Sequence, residues 1–412
     1  MTVCTPDERI WLAFSHRDGQ TPDRVPCYEG TIEIPELVAK PARLEPGILF
    51  FGASLVKNLA APWGKPLRSI FSKVLSHPAV AISLLEPFVA PIFNSISSVH
   101  RKLKIDMMGG AGGLPMVLNP RIFDEIRVRD NVVYSPMGDI AMASAGGTGA
   151  VSRNGFLRSP ADYERYMSFD PDSRVNTFIT KRLLDATRGK IAVCFTVFGS
   201  AFFENLCEMF GYDALFKLLV RDPGFIKKAV KDMSDYATAV ASRLLDQGAR
   251  IFYMTDDLGQ KGRSLISPRM YRAFFKDGIA RFCKVVHKGG GKVMMHSDGN
   301  VMDLVPDFID AGIDALHPWE SAAGMDIFEG KHRWGEKLVL IGNVPIELLS
   351  HGTPGAVEAH VKDLMETVAP GGGFVISSSH SVVPSVKYEN YRAYMLARLR
   401  FGTYPHLTSG SF

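Results

Sequence analysis

Five short clusters of polar residues interrupt otherwise apolar runs, and their types suit metal binding and acid–base chemistry. They are Cys27-Tyr28-Glu29, Thr255-Asp256-Asp257 running on to Leu258-Gly259-Gln260, His296-Ser297-Asp298-Gly299, His317-Pro318-Trp319-Glu320, and Ser377-Ser378-Ser379-His380. His296, Asp298, Glu320 and His380 together make a metal-ligand set. Imidazoles and carboxylates suit zinc well, and iron or manganese less selectively. The His-x-Asp spacing of His296 and Asp298 can bring both side chains to one ion, because residues i and i+2 of a strand share a face. Any one such residue is as readily a satisfied polar group; the argument lies in all four of the set falling at the ends of apolar runs. Asp256 and Asp257 would raise one another's pKa if both pointed into a cleft. A regular strand sends neighbours to opposite faces, so we expect one to face the mouth and the other to cap the following turn. His317 is either a core residue or part of the pocket.

These clusters need elements to bring them together. Apolar or β-branched runs occur at Val25–Gly30, near Ile105–Met108, and at Ile191–Val197, Ile251–Asp256, Lys292–His296, Asp314–His317, Leu338–Gly342 and Gly373–Ser377. Segments with helical periodicity lie between several of them, including Pro268 to Val286 and Val357 to Thr367. Eight strands alternating with helices predict a (β/α)8 TIM barrel spanning residues 1–412. In such a barrel the polar clusters, all at C-terminal strand ends, converge on one mouth. A doubly wound sheet would want a glycine-rich phosphate loop after the first strand, and CYEGTIEIPE is not one. Ala145–Gly149 (AGGTG) lacks a lysine and a strand–helix frame and reads as a loop. Ser267-Pro268 reads as a helix N-cap followed by proline at the first helical position.

Residues 36–105 do not fit the repeat. The segment is long for a strand-to-helix connection and apolar, and it carries nine basic residues against three acidic ones. We read it as a helical insertion, or cap, at the barrel mouth after the first strand. Over all 412 residues the formal net charge is only +4, and 46% of residues are hydrophobic. That excludes a disordered chain and argues against a nucleic-acid binder. The basic excess is concentrated in the insertion, leaving the rest close to neutral. Five widely spaced cysteines with no CxxC pair exclude a disulfide framework and a cysteine-based zinc knuckle. Gly47–Val56, the longest clearly apolar stretch, is about half the length of a membrane span. With charges throughout the first residues, the expectation is a cytoplasmic protein without a membrane span.

DERIWLAFSHRDGQTPDRVP, DDLGQKGRSLISPRMYRAFF, KVMMHSDGN, GNVP and GGGFVISSSH resemble the uroporphyrinogen decarboxylase superfamily of (β/α)8 barrels, over about Asp7 to Tyr404. True decarboxylases of that superfamily carry an arginine-rich motif after the first strand. Here the corresponding segment offers Glu29 and Glu33, which would repel a polyanionic porphyrinogen. The chain is more similar to the corrinoid-linked methyltransferase branch, whose coenzyme M enzymes bind zinc through His-x-Cys and a later cysteine. His296 matches the histidine, Asp298 and His380 stand where cysteines would be, and Glu320 stands where a related methionine synthase places a glutamate. A harder site of this kind favours an oxygen ligand over a thiolate.

The resemblance therefore implies a corrinoid-dependent O-demethylase component that takes a methyl group from a methoxylated substrate, an aryl methyl ether. No D-x-H-x-x-G carrier motif occurs, so the cobalamin would arrive on a partner corrinoid protein. Zinc is the expected ion, and a homodimer is implied by family likeness alone. Tyr28, Trp319, His317 and Gln260 are expected to contact the substrate. Glu29, Asp256 or Asp257 would orient a phenol or protonate the departing oxygen. The basic insertion, through Lys65, Arg68 and Lys73, would steer an acidic corrinoid protein over the mouth. The alternatives are a methylated thiol, sulfonium or amine as substrate, and a barrel that only binds a tetrapyrrole.

Overall fold

In the computed structural model, the described residues are 3–30, 32, 94, 97–111, short stretches between 127 and 155, 157–167, 174–197 and 201–404. Of the predicted insertion only residues 94 and 97–105 belong to this set. The rest of that segment, including Lys65, Arg68 and Lys73, lies outside the described residues, as do Glu33 and the 145–149 loop.

The strands are β1 (Met107–Ala111), β2 to β5 (Arg127–Arg129, Val132–Tyr134, Ile140–Ala141, Val151–Ser152), β6 (Ala192–Thr196), β7 (Ile251–Thr255), β8 and β9 (Gly259–Gln260, Arg263–Ser264), β10 (Lys292–His296), β11 (Ala315–His317), β12 (Val339–Val344) and β13 (Phe374–Ser378). Seven of them form one parallel sheet in the order β1-β6-β7-β10-β11-β12-β13. Strands β2 to β5 make a separate antiparallel sheet, and β8 and β9 a short hairpin.

The expected closed eight-stranded TIM barrel is thus corrected to an open, strongly curled parallel half-barrel flanked by helices. The segment expected as its first strand contributes only isolated bridges, Cys27 with Ile376 and Tyr28 with Met107. The reason is local. Pro26 has no N–H to offer a ladder. The Cys27 N–H is diverted to the Asp106 carboxylate at 3.0 Å, while the Cys27 carbonyl accepts from both Asp106 and Met107.

The sheet strands alternate as their sequences predict. Val193, Phe195, Phe252, Met254, Val293, Met295, Leu316 and Leu340 point outward into the helical layer. Met107, Ala192, Cys194, Ile251, Met294, Ala315, Val339 and Val375 point inward, where Ile10, Ala13 and Phe14 of helix α1 (Pro6–Phe14) cover them. That helix starts at a capping box, with the Glu8 N–H donating to Thr5 Oγ1 and the Thr5 N–H to Glu8 Oε2. It packs against β1, β6 and β13 and closes the N-terminal end of the curl.

Ser267 caps its helix through the Met270 N–H as predicted. The single helix expected from Pro268 is two, Pro268–Phe274 and Lys276–Lys288. Between them Phe275 (φ −116°, ψ −38°) widens the turn and packs its ring edge-on to Phe203 at 5.7 Å. Among the described residues no helix is long and apolar enough to cross a membrane.

Candidate functional site

Along each inward-facing row the side chains change from apolar to polar toward the C-terminal end. Met294 is followed on the same face by His296, Ala315 by His317, Ile251 by Tyr253, and Val375 by Ser377. Strands β10 and β11 pair in register, so His296 lies directly beside His317. The open end of the half-barrel therefore holds a cavity of about 380 Å³, lined by Tyr28, Thr196, Tyr253, His296, Asp298, His317, Ser377, Ser378, His380 and Ser381 with Gly30 and Gly109.

Asp257, His296 and Asp298 each offer a ligand atom, all within 4.8 Å of one another. His296 Nε2 lies 3.6 Å from Asp298 Oδ1 and 3.8 Å from Asp257 Oδ1. These distances are too long for hydrogen bonds. They are near the ~3.4 Å that separates two donors of one tetrahedral ion with ~2.1 Å bonds. Asp298 Oδ1 is buried with no partner, and such an atom normally finds one. The donor chemistry and the orphaned oxygen both fit a divalent cation. His380, half-exposed on the rim, places Nε2 3.6 Å from the other Asp298 oxygen. Asp257 is held by the Asp298 N–H at 2.9 Å.

Three of the four residues expected as ligands, His296, Asp298 and His380, thus meet at the mouth. Glu320 does not enter the group; its Oε2 accepts the Gly299 N–H at 2.8 Å and steadies the turn after Asp298. Asp257, expected as an acid–base residue, takes a place beside His296 instead. Asp256 turns away, fully buried, and caps an earlier helix, Phe202–Phe210, by accepting the Glu204 N–H at 2.8 Å. Its other oxygen has no partner. Tyr28 faces the cavity, edge-on to His317 at 5.2 Å. Trp319 does not line it; the indole is buried against Trp334 and over Gly330, where an added Cβ would fall 2.3 Å from the ring. Gln260 bonds through its backbone carbonyl to the Asn300 N–H, and its side chain is not part of the lining. Sequence reasoning missed Tyr253, Thr196 and Glu204, and named Ser377 in a polar cluster without giving it a role of its own. Tyr253, Thr196 and Ser377 share the inward parity of their strands, which was legible. Glu204 starts a neighbouring helix and left no signal.

The site is electrostatically layered. Burial raises the carboxyl groups of Asp256 and Glu204 to about 8 each, with Asp257 adding to both. Burial raises Asp257 as well. Burial also opposes ionisation of Asp298, but His296 and His380 outweigh it and hold that carboxyl below its ordinary range. The converse holds for His296: burial would lower it, and the carboxylates around it raise it. His317, buried and beside His296, is held well below the usual histidine value.

Glu29 lies outside the cavity in a network of its own. Its Oε1 accepts from the Tyr394 hydroxyl at 2.8 Å and the Ser378 N–H at 3.2 Å. Ser378 Oγ is 2.6 Å from Oε2 and 2.7 Å from the His380 carbonyl. Ser378 has one hydroxyl proton, and a carbonyl can only accept, so all partners are satisfied when Glu29 is protonated and donates to Oγ. Burial raises Glu29 to about 7 in agreement. With its folded pKa above the ordinary 4.5, Glu29 makes stability fall as pH rises from about 4.5 to 7. Glu29→Gln, whose amide donates to the same Oγ, is expected to unfold like the parent at pH 5. At pH 8 it should be more stable by on the order of 2–3 kcal/mol in urea titrations. A variant equally destabilised at both pH values would refute the protonated arrangement.

A curled parallel sheet with a polar, histidine- and carboxylate-bearing cavity at its C-terminal end is the frame of a large class of α/β enzymes. Residues 132–401, more than half of the chain, match the family described as uroporphyrinogen decarboxylase (URO-D). The chain belongs to the uroporphyrinogen decarboxylase family. It is 24% identical over 197 residues to a uroporphyrinogen decarboxylase from Pseudoalteromonas translucida (strain TAC 125), covering 46% of this chain and 52% of that protein. The match thus spans about half the length of that curated relative. Among solved structures, a methyltransferase from Methanosarcina mazei shares the fold with a TM-score of 0.58 at 18% identity, over 96% of this chain and 99% of the other. A putative vitamin-B12 independent methionine synthase from Listeria monocytogenes gives a TM-score of 0.46 at 11% identity, over 92% and 98%.

Proposed function

We propose that this protein is a methyltransferase that takes the methyl group of a methoxylated substrate, an aryl methyl ether, and delivers it to cob(I)alamin on a partner corrinoid protein. The observation that carries this reading is the character of the mouth. It groups two carboxylates with histidines, and among the described residues no cysteine, lysine or arginine lines the cavity. None of the described lining residues offers the cations that would hold a polycarboxylate, and the donor set prefers oxygen to sulfur. That preference places an ether ahead of a methylated thiol.

Asp257, His296 and Asp298, with His380 on the rim, would hold a zinc ion, which supplies Lewis acidity to the ether oxygen. Tyr28 and Tyr253 form aromatic walls suited to a substituted ring. Thr196, Ser377 and Ser381 offer hydroxyls to its polar substituents. The reduced corrinoid of the partner would accept the methyl group as the carbon–oxygen bond breaks. The oxygen would leave with both electrons and take a proton from solvent, as a phenol. The basic segment 36–105 would dock an acidic corrinoid protein at the mouth, and the protein would act in the cytoplasm as a homodimer.

The test is to incubate the zinc-loaded full chain with reduced corrinoid protein and separate methoxyarenes, methylthiols and methylamines, following the corrinoid absorbance. Methoxyarenes are expected to methylate the corrinoid. Transfer from thiols or amines alone, or carbon dioxide release from uroporphyrinogen, would overturn the reading.

A further inference from the structure

We propose that a cavity at the N-terminal end of the sheet, opposite the mouth, is a second binding site, and that its ligand is a small organic ammonium ion with an apolar body. The cavity measures about 380 Å³, as large as the one at the mouth. It lies beside the first residues of β6 and β7, between α1 and the C-terminal ends of the helices Arg174–Thr187 and Pro223–Asp246. Leu184, Ile191, Val193 and Phe195 give it a largely apolar wall. Trp11 of α1, a large apolar side chain left partly exposed, stands at its edge. None of these residues takes part in the chemistry proposed for the mouth, and the inference does not depend on that chemistry.

The polar atoms that this cavity offers are mainly acceptors. Gln247 Oε1 is buried without a hydrogen-bond partner, and such an oxygen calls for a donor. Asp7 Oδ2 accepts the Gly189 N–H at 3.2 Å, and among the described residues no basic side chain forms an ion pair with it. Both helices end here, so their last carbonyls add partial negative charge. Glu8 is committed to its capping box, where Oε2 accepts from the Thr5 N–H and Oγ1 at 2.7 and 2.9 Å. Two arginines border the cavity. Arg250 Nη1 is turned to the Leu245 and Ala249 carbonyls at 3.1 and 2.9 Å. Arg188 is exposed at the rim, where water and salt screen it. An anion inside would therefore meet mostly lone pairs. An ammonium would donate to Gln247 and Asp7 within reach of the Trp11 indole, with its apolar body on the aliphatic wall.

Calorimetric titration of the full chain with two probes of similar shape, 2-phenylethylammonium and 3-phenylpropanoate, tests the site. The ammonium is expected to bind once, with a Kd on the order of 1 mM or below. The carboxylate should bind at least about 10-fold more weakly. Gln247→Met keeps the side-chain length and removes the orphaned oxygen. It and Asp7→Asn should each weaken the ammonium by about 5–10-fold, and Trp11→Leu by about 2–5-fold. The mouth also carries carboxylates, so Asp298→Asn is the control and is expected to leave ammonium binding unchanged. No saturable binding of the ammonium overturns the proposal. So does equal affinity for the carboxylate, or binding that is lost in Asp298→Asn and kept in Gln247→Met.

Discussion

His296→Ala is expected to lose stoichiometric zinc and to slow methyl transfer by about 10³-fold or more. A Lewis-acid ion contributes several kcal/mol to stabilising charge on a departing oxygen, and each 1.36 kcal/mol is tenfold in rate. His296 supplies the only neutral donor of the close group, at 3.6 and 3.8 Å from two carboxylate oxygens. Without it Asp257 and Asp298 would face one another across an emptier mouth with little to offset their repulsion. Two comparison variants make the prediction specific. Asp257→Ala should also lose the metal. Glu320→Ala should keep it, because Glu320 is bound to the Gly299 N–H and stands outside the group. Metal analysis of the purified variants checks all three. Retention in Asp257→Ala together with loss in Glu320→Ala would mean that the ligand set follows the original sequence pattern and that the carboxylates rearrange on binding.

The second large effect concerns stability. Asp106→Ala is expected to lower the unfolding free energy by roughly 3–5 kcal/mol, the cost of removing one partner from a buried ion pair. Asp106 is 1% exposed at the foot of β1. It accepts from Arg9 Nη1 at 2.6 Å, Arg24 Nη1 at 2.9 Å, Arg24 Nη2 at 2.8 Å and the Cys27 N–H at 3.0 Å. The alanine variant would leave two guanidinium groups short of a counter-charge and a buried N–H unpaired, at the segment that bridges β1 to β13. Asp23, which also binds Arg9, offsets part of the loss. Exposed pairs such as Arg333–Glu329 and Lys231–Asp235 should contribute a few tenths of a kcal/mol at most. Urea titration would show a lower midpoint with an unchanged slope. A change below about 1 kcal/mol would mean that the network adds little beyond its desolvation cost.

Much of this arrangement was legible before any coordinates. Strand β10 has the predicted boundaries, because Lys292–His296 is a short apolar run between a glycine turn and a polar pair. The inward parity of Met294 and His296, Ala315 and His317, follows from a two-residue repeat that needs no tertiary information. The polar ends were therefore correctly located on one side of the sheet. Where reasoning from spacing failed, a long-range contact was responsible. Glu320 has the residue type and the offset of a ligand, but a nearby backbone N–H claims it. The expected first strand has suitable composition, yet Asp106 takes its N–H, and single bridges replace a ladder. Glu29 looked like a group for the mouth until its partners, Tyr394 and Ser378, proved to lie some 350 residues away in sequence, beyond the reach of any local pattern.

What the chain determined by itself is periodic and local: which residues turn inward, where helices begin, and that polar groups crown apolar strands. What only the tertiary structure decided is which of those groups meet. Side-chain direction is set within a few residues by backbone sterics. A distance of 2.8 Å between His296 and His317, or 3.6 Å between Asp298 and His380, depends instead on strand register and on the curl of the whole sheet.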